Sequence, residues 1–368
     1  MSTPAAAPRR RRRWYSSFRF WISALTILLV ALAVWAAHEQ IAQAFAALGR
    51  VNIWVLLLIV PIQLVDFWVT GETLFSYLRA RGELRGVHPF TAMRMSLEFN
   101  FANHMLPSGG AAGIAYTSWK LGMLGVTGSR STVAQLVRFA VTFATFAAML
   151  VVAVVVLIVE GKATGAVIWP AAVVGVVAVG AVVGGGLLLS RERLMRRVVV
   201  GITRAINWVT RLVVRRPMLD VDRAMGYAEG LHVEFSEVMT DRRPLLAPLL
   251  WSLVINVVES SMFWVALAAF GYYADPALVF IAYGLATIMS LIIVTPNGAG
   301  AYELVMIGYL VAGGAPSDTV IAAVVLARVI LLFGNILFGW AFYQATIIKA
   351  GREGREAPAE LQRKPKAK

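Results

Sequence analysis

Six charged residues stand inside apolar runs of this sequence: Asp66, Glu98, Arg138, Glu259, Glu303 and Arg328. An ionised side chain at mid-bilayer costs about 2.5–3.5 kcal/mol on insertion scales, so each needs a partner or a purpose. They can neutralise one another as buried pairs that fix helix packing, or they can face an internal polar cavity. The arginines give the second option chemical content, because a guanidinium is a planar fork matched to phosphate oxygens and does not deprotonate. Asp66, Glu98 and Glu259 read as coupling or structural charges.

Two Pro/Gly breaks supply further anion-binding chemistry: Pro107-Ser108-Gly109-Gly110 and Pro296-Asn297-Gly298-Ala299-Gly300. A half-helix that follows such a break presents free backbone N–H groups and the positive end of its dipole. Gly109, Gly110, Gly298 and Gly300 let another group approach that backbone closely. Two tips and two arginines would make a phosphate cradle, although the glycines serve equally as hinges or packing residues. Glu98, Asn100, Asn103 and His104 approach the first tip. On a helix Asn100 and Asn103 share a face, and they either line a vestibule or satisfy freed backbone groups. Glu303 follows the second tip and can accept from Asn297 or Arg328, or carry a proton. The expected substrate contacts are therefore Arg138, Arg328, Asn100, Asn103, Glu303 and the tip residues Pro107, Gly109, Gly110, Pro296, Asn297, Gly298 and Gly300.

The elements that must position these residues are transmembrane. Of 368 residues 59% are hydrophobic and only 15% charged, with a net charge of +14. Soluble domains run about 45–50% apolar and about 25% charged, so a water-soluble fold is excluded. Apolar runs long enough to cross about 30 Å of hydrocarbon fall near 20–37, 51–70, 131–159, 166–190, 244–270 and 318–348. Residues 90–124 and 277–314 are equally apolar, but each is broken by one of the tips.

Short loops rich in Lys and Arg stay cytoplasmic. The segments 38–50, 160–165, 271–276 and 313–317 hold only Arg50 and Lys162 of the 34 basic residues, and are assigned outside. Six spans with both termini cytoplasmic then require residues 90–124 to begin and end inside, and 277–314 to begin and end outside. Each reads as a re-entrant hairpin, entering from opposite faces; a pair of tilted full spans is the alternative. The run 20–37 reads as a retained anchor rather than a cleaved signal.

The halves superpose at an offset of about 190 residues. Gln63 and Asp66 match Asn256 and Glu259, Pro107 matches Pro296, and Arg138 matches Arg328. The expected fold is thus an all-α polytopic membrane protein with about six full spans and two Pro/Gly-broken hairpins in an inverted-topology repeat, a plan that places substrate near the midplane. Its parts are a basic tail at 1–19, a first span and outer loop at 20–50, a first repeat at 51–159, a connecting span at 160–190, an insert at 191–243, a second repeat at 244–348 and a basic tail at 349–368.

The insert carries eleven arginines against seven acids and is partly amphipathic. Binding to an anionic membrane surface is expected, and nucleic acid is not, since the charge lies on a loop between spans. With no cysteine and four scattered histidines, no metal or other cofactor is expected. The sequence holds no G-x-S-x-G, H-E-x-x-H or Walker pattern, so no enzyme activity is expected.

Thr295-Pro296-Asn297-Gly298-Ala299-Gly300-Ala301-Tyr302-Glu303, followed by Ala327-Arg328, resembles the P-x-G-x-G-x-x-E and later Arg of the lysylphosphatidylglycerol synthase transmembrane-region family of flippase-like proteins. Leu106-Pro107-Ser108-Gly109-Gly110 with Tyr116 and Lys120 resembles that family's first tip, and the likeness covers about 50–348. Ala111 and Ala112 stand where many members carry a charged or bulky residue, which bears on headgroup preference. The resemblance implies a plasma-membrane lipid flippase, moving a phosphate-bearing phospholipid, isoprenoid-linked lipid or glycolipid through a midplane cavity, with a homo-oligomer possible. The chain reads as a stand-alone member without the aminoacyl-transferring domain. The alternative is a non-transporting scaffold or lipid-binding partner of a glycosyltransferase or lipid-modifying enzyme.

Overall fold

Long runs of Val, Leu, Ile and Ala fold as helices here because hydrocarbon offers no partner for a free backbone N–H or C=O. The computed structural model describes residues 49, 51–105, 111–214, 220–292 and 300–361. The helices are α1 (Ile53–Leu56), α2 (Ile59–Ala80), α3 (Pro89–Met105), α4 (Ala111–Met123), α5 (Gly128–Val159), α6 (Gly165–Ser190), α7 (Glu192–Val214), α8 (Val221–Thr240), α9 (Leu246–Ala269), α10 (Pro276–Ile292), α11 (Ala301–Ala312) and α12 (Ser317–Leu361). Caps mark several starts. Asn52 accepts from the N–H groups of Trp54 and Val55 ahead of α1, and Thr127 accepts from that of Arg130 in α5.

Among the described residues, five stretches are long and apolar enough to cross a membrane: Ile53–Ala80, Gly128–Val159, Gly165–Ser190, Arg243–Ala269 and Ser317–Thr346. They coincide with five of the six expected spans; the sixth, 20–37, and the basic tail at 1–19 lie outside the described residues. The chain is an all-α, multi-pass membrane protein.

The two broken stretches are pairs of shorter helices. α3 and α4 have 17 and 13 residues and pack on each other, as do α10 and α11 with 17 and 12. At about 1.5 Å per residue these reach roughly 18–26 Å, short of a hydrocarbon core of about 30 Å. Residues 106–110 and 293–299, which include Pro107, Gly109, Gly110, Pro296, Asn297 and Gly298, lie outside the described residues.

Packing runs in matched pairs. α2 lies against α3 as α9 lies against α10, α3 against α4 as α10 against α11, and α4 against α5 as α11 against α12. Crosswise, α3 packs on α12 while α10 packs on α5, and α2 meets α9 at the centre. The close central contacts use small residues. A Cβ on Gly71 of α2 would sit 2.5 Å from the backbone oxygen of Ala92 in α3, so only glycine permits that approach.

Apolar side chains gather in two clusters. One joins Leu56 of α1 and Ile59 of α2 with Phe146, Leu150 and Leu157 of α5 and much of α9 to α12. The other joins Leu74, Phe75 and Leu78 of α2 with Val133, Val137 and Val141 of α5 and with α8. Between them along the same helices fall Gln63, Asp66 and Thr70 on α2, Thr142 and Thr145 on α5, and Ser252, Asn256 and Glu259 on α9, with Arg138 beside them between Val137 and Val141 of the second cluster. A polar belt therefore runs where the two apolar clusters meet, and the site lies within that belt.

Candidate functional site

A cavity of about 330 Å³ opens in the polar belt, walled by α2, α3, α4, α5, α9 and α10. Its polar lining comes from Thr70, Thr73, Asn100, Asn103, Arg138, Thr142, Asn256, Glu259, Tyr283 and Thr287. Its apolar lining is Phe99, Phe139, Phe143, Phe146, Ile114, Ile255 and Ile288. Gly284 of α10 contributes by having no side chain, since a Cβ there would lie 2.0 Å from the ring of Phe146.

Arg138 is the cation of this cavity. It is 8% exposed, and its guanidinium carbon lies 4.4 Å from the ring centre of Phe99 and 4.8 Å from that of Phe139. Among the described residues no hydrogen bond or salt bridge reaches it. Ring faces attract a cation, but they leave its five N–H donors unfilled. A guanidinium so placed at a cavity wall has N–H donors that an anion could fill.

The carboxylate of the same cavity is Glu259, which accepts a hydrogen bond from the Tyr283 hydroxyl. Glu259 acts electrostatically on Arg138 across the cavity lining and on Asp66, which does not line the cavity. Asn256 is spent on structure: its amide donates to Thr145 Oγ1 at 3.0 Å and to the carbonyl of Ser252 at 2.9 Å. Asn103 accepts from the N–H of Gly113 at 2.7 Å, which satisfies a donor in the first turn of α4 that has no helical partner. Asn100 lines the cavity beside it.

Arg328 is placed differently from Arg138. Its Nε donates to Glu303 Oε1 at 2.7 Å, and the other oxygen of Glu303 accepts from the N–H of Gly300 at 2.7 Å. Gly300 has φ +87°, a conformation that favours glycine. The Arg328 guanidinium lies 4.2 Å from the centre of the Tyr302 ring. Of the roles expected for Glu303, acceptance from Arg328 is present, while Asn297 lies outside the described residues. The two arginines do not share a wall: Arg138 lines the cavity and Arg328 fastens the start of α11 to α12.

Glu98 also sits apart from the cavity. It is 0% exposed and is held from three elements, by Arg94 Nε at 2.9 Å on its own helix, by the Tyr116 hydroxyl at 2.6 Å on α4 and by Thr346 on α12. Lys120 Nζ stands 3.8 Å away and donates to Thr346 at 2.9 Å. This cluster ties the first hairpin to the last helix. Sequence reasoning did not single out Arg94, Thr346, Tyr283, Phe99 or Phe139. Phe99 and Phe139 adjoin Glu98 and Arg138 in sequence, but an aromatic in an apolar run is the default there and carries no signal.

Among the described residues no group of three His, Asp or Glu side chains is placed to hold a metal ion. Compared with known families, residues 21–339 match the one described as Lysylphosphatidylglycerol synthase TM region. No curated protein and no solved structure matches. The match spans most of the chain, and the chain belongs to that family.

Proposed function

We propose that this member of the lysylphosphatidylglycerol synthase TM region family is a lipid flippase of the plasma membrane, in which a phosphate-bearing headgroup passes through the polar belt while its tails stay in the bilayer. The observation that carries the proposal is Arg138, a buried guanidinium in a cavity with no carboxylate bonded to it among the described residues. A charge left without a bonded partner away from water is destabilising unless something occupies its donors. A phosphate fits in shape and sign. Threonine and asparagine groups around it suit the ester and glycerol oxygens, and the phenylalanine wall suits the first methylenes of the tails.

Interchangeable packing of the halves supports an inverted-topology repeat, with the hairpin α3–α4 and the hairpin α10–α11 entering from opposite faces and both termini cytoplasmic. Glu259 beside Asp66 is the pair best placed to couple movement to protons, since Glu303 is occupied by Arg328. No chemical change to the lipid is part of the mechanism.

In liposomes holding a headgroup-labelled anionic lipid, the protein should accelerate exchange between leaflets. Arg138→Ala should slow that exchange about 10- to 100-fold, the weight of one or two hydrogen bonds to a charged group. Exchange unchanged in the variant would remove Arg138 from the pathway. Lipid retained without exchange would favour a lipid-binding scaffold instead, and a change in the lipid's mass would favour an enzyme.

A further inference from the structure

α7 differs from every span. It begins after a single residue, Arg191, whose extended backbone (φ −104°, ψ 96°) ends α6, so its first turn stands at the edge of a membrane-crossing helix. Around its axis the residues divide into three faces. Met195, Thr203 and Asn207 are buried, and Met195 packs with Leu231 and Phe235 of α8. Leu194, Ile202, Ile206 and Trp208 form a broad apolar face, bordered by Arg197 beside Trp208 and by Met195 beside Ile206, whose members are 40%, 55%, 41% and 66% exposed. Arg193, Arg197 and Arg204 form the third face, all exposed, and no salt bridge reaches them among the described residues. Arg196 is different, being paired with Glu192 and Glu229.

An exposed apolar stripe beside unpaired arginines matches neither water nor hydrocarbon alone. It matches the boundary between them, where apolar side chains reach the acyl region and guanidinium groups meet phosphates. We propose that α7 lies in the headgroup interface of the leaflet at the end of α6 and binds anionic lipid there through Arg193, Arg197 and Arg204. Its position is fixed from behind by α8. Glu234 of α8 accepts from Arg130 of α5 at 3.0 Å, Glu237 pairs with Arg81 at the end of α2, and His232 meets the carbonyl of Leu189 in α6 at 3.0 Å. The surface helix is therefore clamped to three spans, including the one that carries Arg138.

The test uses the whole chain, which lacks cysteine. Ile202→Cys and Arg204→Cys carry spin labels in vesicles of phosphatidylcholine alone or mixed with phosphatidylglycerol. The label at 202 should be relaxed by oxygen and shielded from a water-soluble nickel chelate, and the label at 204 should show the reverse. Native mass spectrometry should find phosphatidylglycerol retained in preference to phosphatidylcholine, with the preference falling about fivefold for each of the three arginines changed to glutamine. Equal nickel access at 202 and 204, or an unchanged preference in the triple variant, would overturn the proposal. So would disulfide linkage of two chains through Ile202→Cys, which would make the stripe a contact between copies. None of these readouts depends on lipid exchange, so they succeed or fail apart from the flippase proposal.

Discussion

Arg138 and Arg328, which align when the halves are offset by about 190 residues, have different surroundings. Arg328 has a carboxylate at 2.7 Å and Arg138 has aromatic faces. Side chains of the Arg328–Glu303 pair are only 15% and 10% exposed, so Glu303→Gln takes a carboxylate away from a buried guanidinium. Glu303→Gln should destabilise the protein by about 3 kcal/mol, the usual cost of breaking a buried pair. Glu303→Gln combined with Arg328→Gln should recover part of that loss. Thermal unfolding in detergent reads both, and Arg138→Gln should lower the midpoint less than Glu303→Gln does. Equal losses would mean that Arg138 is a structural charge as well. The residues Arg138, Asn100, Asn103 and Glu259 were legible because a polar group in an apolar run is conspicuous, whereas Tyr283 and the two phenylalanines were not. Aromatic residues are ordinary in such runs, and only the fold shows which of them meet a cation.

At the scale of elements, hydropathy and Pro/Gly punctuation located every described span and hairpin to within a few residues of its ends, except that α2 runs on past 70 and α12 continues as helix past 348 to Leu361. The run 51–70 continues as helix to Ala80 because Glu72 and Arg79, which look like the end of an apolar stretch, pair with each other on the same helix. Loop contacts were not legible, since they join residues far apart in the chain. Lys162, between α5 and α6, donates to Glu160 at 2.6 Å and to Asp275 at 2.7 Å, and Asp275 precedes α10. Partial burial works to raise the Asp275 carboxyl, but the hydrogen bonds from Lys162 and the Ala277 N–H outweigh it and hold it below its ordinary 3.8. The bond to Asp275, with that to Glu160, pushes the Lys162 ammonium above its ordinary 10.5. A depressed carboxyl stabilises above its unfolded value and stops doing so as pH falls through its folded one; a raised ammonium does so below its unfolded value and stops as pH rises through its folded one. Compared with Lys162→Gln, the native chain should thus hold a stability advantage that is level across neutral pH and vanishes only in strong acid and strong alkali. An advantage confined to one side of neutrality would mean that the clasp does not form.

For the whole molecule, the placement of Lys and Arg carries only an expected orientation, whereas the crosswise packing of hairpins on the opposite half's last helix is seen in the coordinates alone. Sequence could align the halves but could not show that α3 lies on α12 and α10 on α5. Opposed entry of the hairpins has a direct measurement. In sealed vesicles of uniform orientation, Arg85→Cys and Met123→Cys, at the two ends of the first hairpin, should react with an impermeant thiol reagent from one face. Tyr273→Cys and Ser317→Cys, at the ends of the second, should react from the other. Reaction of all four from one face, or of either pair from both, would replace the inverted plan with another.

α12 is held at two places far apart along one uninterrupted rod. Arg328 grips Glu303 at the head of α11, and Thr346 grips Glu98 and Lys120 in the first hairpin. Eighteen residues at about 1.5 Å each separate these grips by roughly 27 Å, and no proline interrupts the helix between Ser317 and Thr346. A stiff beam pinned near both ends acts as a lever: rocking it to loosen one fastening presses on the other, so the first hairpin and the head of α11 share one mechanical part.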